Sequence, residues 1–304
     1  MGPFLAIIAA LGFAGKAIFI KLVYAASPNM DAVTLLALRM LFALPFFAVL
    51  YWAGARQAGS APLELRDFTS MAVLGFLGYY LASFFDFWGL QFISAALERL
   101  ILFTYPAWIL VFSALFFRQP IKPRQLLALL VSGSGLALAF LADVHLNRDA
   151  LLKGSALVLL SSLIYAGFLI GSSRVVGRAG SLRFASVSVT FSSVFVFAHF
   201  LATHPSRMLI DQPLHVHWLS FLLGLIATAL PIWWTAEAVR RIGPGRVGII
   251  GTVGPIATIW LGHWTVGEPI TALQIAGALL VLAGVTLVSL ANPQQVVQAP
   301  ELQD

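Results

Sequence analysis

The sequence predicts an all-α integral membrane protein, in which ten transmembrane helices form two inverted five-helix repeats around a central cavity. Three observations lead to this prediction. The composition suits lipid rather than water, ten apolar runs are long enough to cross a bilayer, and one half of the chain matches the other with opposite charge in corresponding loops.

The composition is that of a chain whose main solvent is lipid. Hydrophobic residues make up 60% of the 304 positions and charged residues only 10%, whereas soluble domains have about 25% charged residues. The net charge of +6 would suggest nucleic acid in a soluble protein. Inward-facing loops of membrane proteins collect Lys and Arg, so no nucleic-acid partner is expected here. The absence of cysteine excludes disulfides, thiolate metal sites and a cysteine nucleophile.

The apolar runs set the helix count. A transmembrane helix needs about 20 predominantly apolar residues. Proline-containing segments such as Ser27-Pro28-Asn29 and His204-Pro205 fall between runs, where they disturb no helix. The ten predicted spans cover residues 3–25, 31–54, 67–90, 94–117, 124–142, 150–173, 184–203, 216–238, 244–266 and 271–291.

The internal repeat divides these spans into two groups of five. Tyr105-Pro106 in the first half corresponds to Gly254-Pro255 in the second, and Gln119-Pro120 corresponds to Glu268-Pro269. Because five is odd, the second copy must enter the membrane from the opposite side. We expect a first repeat over residues 1–146, an inverted second repeat over 147–292, and a disordered cytoplasmic tail over 293–304.

The charges of matching loops agree with this inversion. The loop after the fourth span carries Arg118, Lys122 and Arg124, while its counterpart after the ninth carries Glu268 and no basic residue. Loops 2–3, 4–5, 6–7 and 8–9 together hold about eleven Lys and Arg, and the opposite loops about three. The positive-inside rule therefore predicts a multi-pass protein of the bacterial inner membrane with both termini in the cytoplasm.

These features resemble the drug/metabolite transporter superfamily. The resemblance covers residues 3–291 and rests on the Arg39-bearing second span, the Tyr105-Pro106 and Gly254-Pro255 breaks, and the paired turns at Gln119 and Glu268. It is greatest to the EamA-type branch, and within that branch to the aromatic amino-acid exporters typified by YddG. The resemblance implies a cavity lined mainly by helices 1, 3, 4, 6, 8 and 9. It also implies export of small metabolites by alternating access, and a possible homodimer surface on helices 5 and 10.

Charged side chains inside the spans are candidates for transport, because each costs about 2.5–3.5 kcal/mol on insertion scales. Lys16 is the deepest. It could anchor a substrate carboxylate, or it could form a fixed ion pair with Asp86 or Glu98. Asp86 shares a helical face with Tyr79 and Ser83 at i, i+4, i+7 spacing, so that face is expected to line a cavity. Asp86 could bind a substrate ammonium or a coupling proton, or it could be a structural partner of Arg39 or Lys16.

Further candidates come from the helix breaks and the aromatic residues near mid-membrane. Proline frees an upstream carbonyl, which in lipid must face protein or a watery cavity, so Pro106, Pro255, Gly251 and Gly254 are predicted hinges; ordinary kinks are the alternative. Tyr and Trp combine flat apolar area with a hydrogen-bonding tip. The full set of predicted substrate-binding residues is Lys16, Tyr79, Ser83, Asp86, Glu98, Tyr105, Trp108, Ser161, Tyr165, Trp233, Trp234 and Thr252.

The predicted function is secondary export of small metabolites, and the expected cargo is amino acids, including aromatic ones. A sugar-phosphate or nucleotide-sugar carrier of the same superfamily is an alternative. Such cargo would require several cations in the cavity, and only Lys16 lies deep in a span. An intramembrane enzyme is a second alternative, but no convergent catalytic set is visible. No cofactor, metal site or nucleotide-binding motif is expected.

Overall fold

A computed structural model describes residues 1–56, 62–144 and 147–291, so the predicted tail over 293–304 lies outside the described residues. Nine helices of this part are long and apolar enough to span a membrane, and the apolar stretch of a tenth covers Ala272–Leu287. The predicted all-α, ten-helix architecture is confirmed. The helices are α1 Gly2–Ala26, α2 Ala32–Ala55, α3 Leu65–Gly89, α4 Ala95–Phe117, α5 Pro123–Ala142, α6 Arg148–Ala179, α7 Ser181–Thr203, α8 Leu214–Ile242, α9 Gly245–Val266 and α10 Ala272–Ala291.

Two connections are tighter than the sequence predicted. Helix α6 was expected to end near residue 173, but it continues to Ala179 and joins α7 through Gly180. Gly243 makes the corresponding turn between α8 and α9. Their φ values of 81° and 79° lie in a region that is essentially restricted to glycine. Arg174 and Arg178 are therefore helical residues, and Arg178 forms an ion pair with Asp67 near the start of α3.

Helices of one repeat pack against helices of the other, and the pattern of contacts is the same when the two repeats are interchanged. Helix α1 packs on α8 and α9, just as α6 packs on α3 and α4, while α2 packs on α7 and α5 on α10. This pattern is what a pseudo-twofold axis relating two inverted halves requires. We call the end of the bundle that holds Gly2, Arg178 and Gly243 the N-terminal face. The end that holds the α3–α4 and α9–α10 connections is the opposite face.

The helices are interrupted at matching places in the two repeats. Helix α3 contains a π-helical segment at Gly75–Leu81 and α8 contains one at Leu225–Ala229. Helix α4 is broken between Leu102 and Tyr105, and α9 is broken at Thr252. Such interruptions free backbone groups, which transporters use at the repeat interface.

Helices α5 and α10 associate through small residues. A Cβ built on Gly135 would lie 2.6 Å from the Gly277 carbonyl oxygen, and one on Gly284 would lie 2.1 Å from Ser132 Oγ. Glycine at these positions allows the two backbones to approach closely, as in other membrane helix pairs. Leucines on the outer side of the pair, among them Leu130 and Leu279, are exposed. The homodimer surface on this pair remains a prediction.

Replacing Gly75 with alanine is expected to destabilise the protein by about 1–3 kcal/mol, because the core has no room for an additional carbon atom at this position. The new Cβ would lie 2.3 Å from the backbone oxygen of Ser188 on α7, and a backbone atom cannot move aside as a flexible side chain can. Thermal unfolding in detergent measures the effect. Gly133→Ala is the control, because nothing lies within 4 Å of its Cβ position. Equal unfolding temperatures for the two variants would contradict the prediction.

Candidate functional site

Lys16 joins three helices of the first repeat through two buried carboxylates. Its Nζ lies 2.5 Å from Asp86 Oδ2 on α3 and 3.2 Å from Glu98 Oε1 on α4. Asp86 is 2% exposed and Glu98 is fully buried. The structure therefore favours the ion-pair interpretation of Lys16. Asp86 Oδ1 and Glu98 Oε2 are buried without a hydrogen-bond partner in the described part of the chain, so this triad holds unused acceptors.

The π-helical segment changes what the polar face of α3 contacts. Because a π segment adds a residue to the turn, Tyr79 does not have the α-helical i, i+4 relation to Ser83, whereas Ser83 and Asp86 both lie in the α-helical part that follows. The Tyr79 ring packs edge-on against Phe168 of α6 at 5.3 Å between centroids. Its carbonyl accepts a hydrogen bond from Arg39 Nη2 at 3.3 Å. Tyr79 and Asp86 thus contact different helices, and Ser83 is partly buried between them.

A tyrosine cluster lies beside the break in α4. The rings of Tyr105 and Tyr165 meet at right angles with 5.5 Å between centroids, and Tyr165 stacks on Phe168 at 5.6 Å. Trp108, one turn further along α4, has a buried indole N–H with no acceptor in the described residues. This wall offers flat apolar surface together with hydrogen-bond donors.

Several other predicted residues have different surroundings. Ser161 is buried and donates to the Ala82 carbonyl of α3 at 2.7 Å, so its hydroxyl holds two helices together. Thr252 occupies the break in α9 and donates to the Ile249 carbonyl. Trp233 is 41% exposed, while Trp234 is partly buried. Among the described residues, none of these four has a hydrogen bond or a ring contact with Tyr105 or Tyr165.

Arg99 is not among the substrate-binding residues predicted from the sequence, although it directly follows Glu98 in the same span. Neighbouring helical residues point about 100° apart, so a Glu98 that faces α1 turns Arg99 towards α9. The guanidinium lies 5.1 Å from the Phe103 ring centroid, and its Nη2 lies 2.9 Å from the Cβ position of Gly254. The sequence did contain a signal for Arg99. Glu98 and Arg99 are adjacent charges in one span, and adjacent helical residues cannot both face the same partner.

The first half of α9 is less buried than the second half, because the described buried residues of this helix lie within Val253–Val266. Pro255 and Thr258 on its inner face are buried, and the Thr258 hydroxyl reaches the Ala14 carbonyl of α1 at 3.3 Å. Gly251 and Gly248 precede Pro255 at helical spacing, Gly248 is exposed, and nothing lies within 4 Å of either Cβ position. The outer face is an exposed apolar stripe that consists of Ile249, Val253, Ile256 and Trp260.

The two ends of the α4–α9 crossing differ. Ala95–Leu102 of α4 packs on Val253–Val266 of α9, whereas Tyr105–Phe117 packs on α6 and α10 without extensive contact to α9 in the described residues. The crossing is therefore closed towards the opposite face and open towards the N-terminal face. A groove of about 660 Å³ between α3 and α6 also lies at the N-terminal end, lined in part by Arg66, Arg174 and Arg178.

Glu268 closes the opposite face. Its carboxylate accepts hydrogen bonds from the Ala95 N–H at 2.9 and 3.1 Å, and Lys21 Nζ lies 3.9 Å away. An anion at the first turn of a helix is favoured by the free N–H groups and the helix dipole. Burial raises the pKa of Glu268, which the Ala95 N–H and the Lys21 charge partly offset. The corresponding Gln119 is uncharged, so this contact has no ionic equivalent at the N-terminal face.

Closure by Glu268 is expected to weaken as pH rises. Burial raises its pKa in the closed state, so that state binds the proton more readily than an open, hydrated one. Spin labels on cysteines at the exposed positions Gln91 and Trp264 should report a long-distance population that grows as pH rises and Glu268 loses its proton.

Glu268→Gln provides the control for this pH dependence, since it mimics the protonated form. This variant should keep the short-distance population at every pH. Glu268→Ala, which removes the acceptor, should open at every pH. A wild-type distance distribution that does not change with pH would contradict the assignment.

The comparisons with known proteins agree with this architecture. The model of the EamA-like transporter family matches the chain twice, over residues 1–141 and 152–290. The uncharacterized transporter YcbK of Bacillus subtilis is 29% identical over 279 residues, which covers 91% of this chain and 88% of that protein. The uncharacterized transporter sll1319 of Synechocystis is 25% identical and covers 95% and 93%. A solved crystal structure with 17% identity covers 95% of this chain and 96% of its own, with a TM-score of 0.62, and so shares the fold.

Proposed function

We propose, from the premise that this chain belongs to the EamA-like transporter family, that it exports small metabolites from the cytoplasm by alternating access. The cargo we infer is amino acids, including aromatic ones. The N-terminal face carries most of the basic residues, which supports a cytoplasmic location of both termini in a bacterial inner membrane.

The observation that carries this proposal is the unequal packing of the α4–α9 crossing. Both helices are interrupted at matching positions, their halves meet at the opposite face, and their other halves stand apart at the N-terminal face. A cargo can reach the crossing from one side only in this arrangement. Exchanging the conformations of the two repeats would open the other side, which is how inverted repeats produce alternating access.

The chemistry of the site supports an amino-acid cargo. Tyr105, Tyr165 and Trp108 supply flat surface and hydrogen-bond donors, which suit a neutral or zwitterionic molecule with an apolar body. Lys16 is held by two carboxylates, so it does not supply the free positive charge that a sugar phosphate would require. The predicted hinge role of Pro106, Pro255, Gly251 and Gly254 belongs to the same proposal.

Proteoliposomes test the function directly. We expect the reconstituted protein to take up labelled amino acids such as phenylalanine and threonine, and measurement with and without a pH gradient reports whether protons contribute. Tyr105→Ala should lower the rate for aromatic cargo, whereas Trp52→Ala, at an exposed position 64% accessible on α2, should leave it unchanged. Uptake of sugar phosphates but no amino acids would overturn the proposed cargo. No uptake of either class would overturn the proposed function.

A further inference from the structure

Within the described residues, Arg99 lacks the carboxylate or carbonyl partner that three other cations within the spans have. Lys16 contacts two carboxylates, Lys21 lies near Glu268, and Arg39 donates to the Tyr79 carbonyl. In the described ranges Arg99 makes no ion pair and no side-chain hydrogen bond, and its Nε is buried without an acceptor. A guanidinium in a membrane protein interior needs acceptors to offset the cost of leaving water.

The residues around Arg99 leave room for a ligand beside the guanidinium and do not supply a hydrogen-bond acceptor among the described residues. Gly254 opposite it has no side chain, and a Cβ there would lie 2.9 Å from Nη2 and crowd the guanidinium. The guanidinium carbon of Arg99 lies 5.1 Å from the centroid of the Phe103 ring, in a cation–π contact. The Phe103 ring in turn lies 6.5 Å from the Tyr105 ring, and the Tyr105 ring lies 5.5 Å from that of Tyr165. Arg99 thus adjoins the aromatic wall at the crossing of the two repeats.

Two buried side-chain groups of α4 are hydrogen-bond donors without an acceptor among the described residues. Arg99 Nε and Trp108 Nε1 are both buried without acceptors. A ligand that satisfies them must bring acceptor oxygens. A guanidinium has the planar geometry that binds a carboxylate through two parallel hydrogen bonds. A doubly charged phosphate would require a second free cation beside Arg99. Lys16 cannot supply it, because its charge is neutralised by Asp86 and Glu98.

We propose that Arg99 binds the carboxylate of the transported molecule and thereby restricts the cargo to carboxylates whose apolar or aromatic body lies against Tyr105 and Tyr165. This inference rests on the proposed transport function and specifies its substrate class. It moves the expected carboxylate anchor from Lys16 to Arg99. Removal of the guanidinium should then change which molecules bind, and not only how tightly they bind.

The test compares acids with their amides on purified protein in detergent. Wild-type protein should bind phenylalanine more tightly than phenylalaninamide, and phenylacetate more tightly than phenylacetamide, as measured by calorimetry. Arg99→Gln should weaken binding of the acids about 10- to 100-fold, the range for a hydrogen bond to a charged group, and leave the amides nearly unchanged. Arg99→Lys keeps the charge but not the paired geometry, so it should give an intermediate loss.

Lys153→Gln is the matched control for loss of positive charge. Lys153 lies over the rings of Trp88 and Phe92 at 5.2 and 4.4 Å, next to the opposite face, and its removal should leave the preference for acids intact. A wild-type protein that binds acids no better than amides, or that binds no carboxylate, would overturn the inference. So would an Arg99→Gln protein that folds normally and keeps the preference for acids.

The binding measurement also separates this inference from the proposed function. A preference for acids that depends on Arg99, in a protein that moves nothing in proteoliposomes, would retain the binding site and refute transport. Amino-acid uptake that is equally fast in wild type and Arg99→Gln would retain transport and refute the anchor. Tighter binding of inorganic phosphate than of phenylacetate would show that the guanidinium recognises phosphate, and would overturn the carboxylate assignment.

Discussion

Replacing Lys16 with methionine is expected to destabilise the protein by about 3–5 kcal/mol, the cost of leaving buried charge without its partner. Lys16 is the only cation within 4 Å of Asp86 or Glu98 among the described residues, and both carboxylates are almost completely buried. The loss should appear as a lower unfolding temperature in detergent and a lower yield of folded protein. Transport should fall with it, because the same contacts join α1, α3 and α4.

A compensating variant separates the charge effect from lost packing. Lys16→Met combined with Asp86→Asn and Glu98→Gln removes all three charges while keeping the side chains close to their original size. This triple variant should regain most of the lost stability. If the single variant were as stable as wild type, or the triple variant less stable than the single one, the buried triad would not have the energetic role assigned to it.

Replacing Gly248 with tryptophan is expected to abolish transport with little change in stability. The position precedes Pro255 at helical spacing on α9, and nothing lies within 4 Å of its Cβ position, so a large side chain can be accommodated without displacing a neighbour. It would occupy the space through which cargo reaches the crossing. Uptake in proteoliposomes and thermal unfolding, measured on the same preparation, distinguish a blocked path from a misfolded protein.

Gly133→Trp is the matched control for this variant. Its Cβ position is equally open, but it lies on the exposed side of α5, away from α10 and the crossing. This control should transport at the wild-type rate. Normal uptake by Gly248→Trp would mean that the open space beside α9 is not on the transport path.

The sequence predicted the architecture well because lipid imposes simple rules. Span length, proline placement and loop charge depend on the bilayer, not on detailed packing, so ten helices in two related halves could be inferred. The helix ends near Gly180 and Gly243 could not, because arginines such as Arg178 remain helical when an acidic partner lies on the next helix.

The site was less predictable because it depends on which neighbour each side chain meets. Lys16, Asp86 and Glu98 could each be identified as costly, but only the structure shows that they share one contact. The π-helical segment of α3 places Tyr79 on a different face of the helix from the one that regular α-helical spacing predicts. No local sequence pattern predicts this segment. Glu268 is not among the predicted site residues, because its role depends on Ala95, which is distant in sequence.

The most direct test of alternating access uses single cysteines, since the chain has none of its own. Cysteines at Lys122 and Thr271 mark the two faces, and a cysteine at Gly251 probes the open space beside α9. With a membrane-impermeant maleimide and no cargo, the cysteine at position 251 should react from the Lys122 side only. Addition of transported amino acid should make it reactive from both sides. Reaction from the Thr271 side alone, or from neither side under either condition, would contradict a crossing that opens alternately to the two faces.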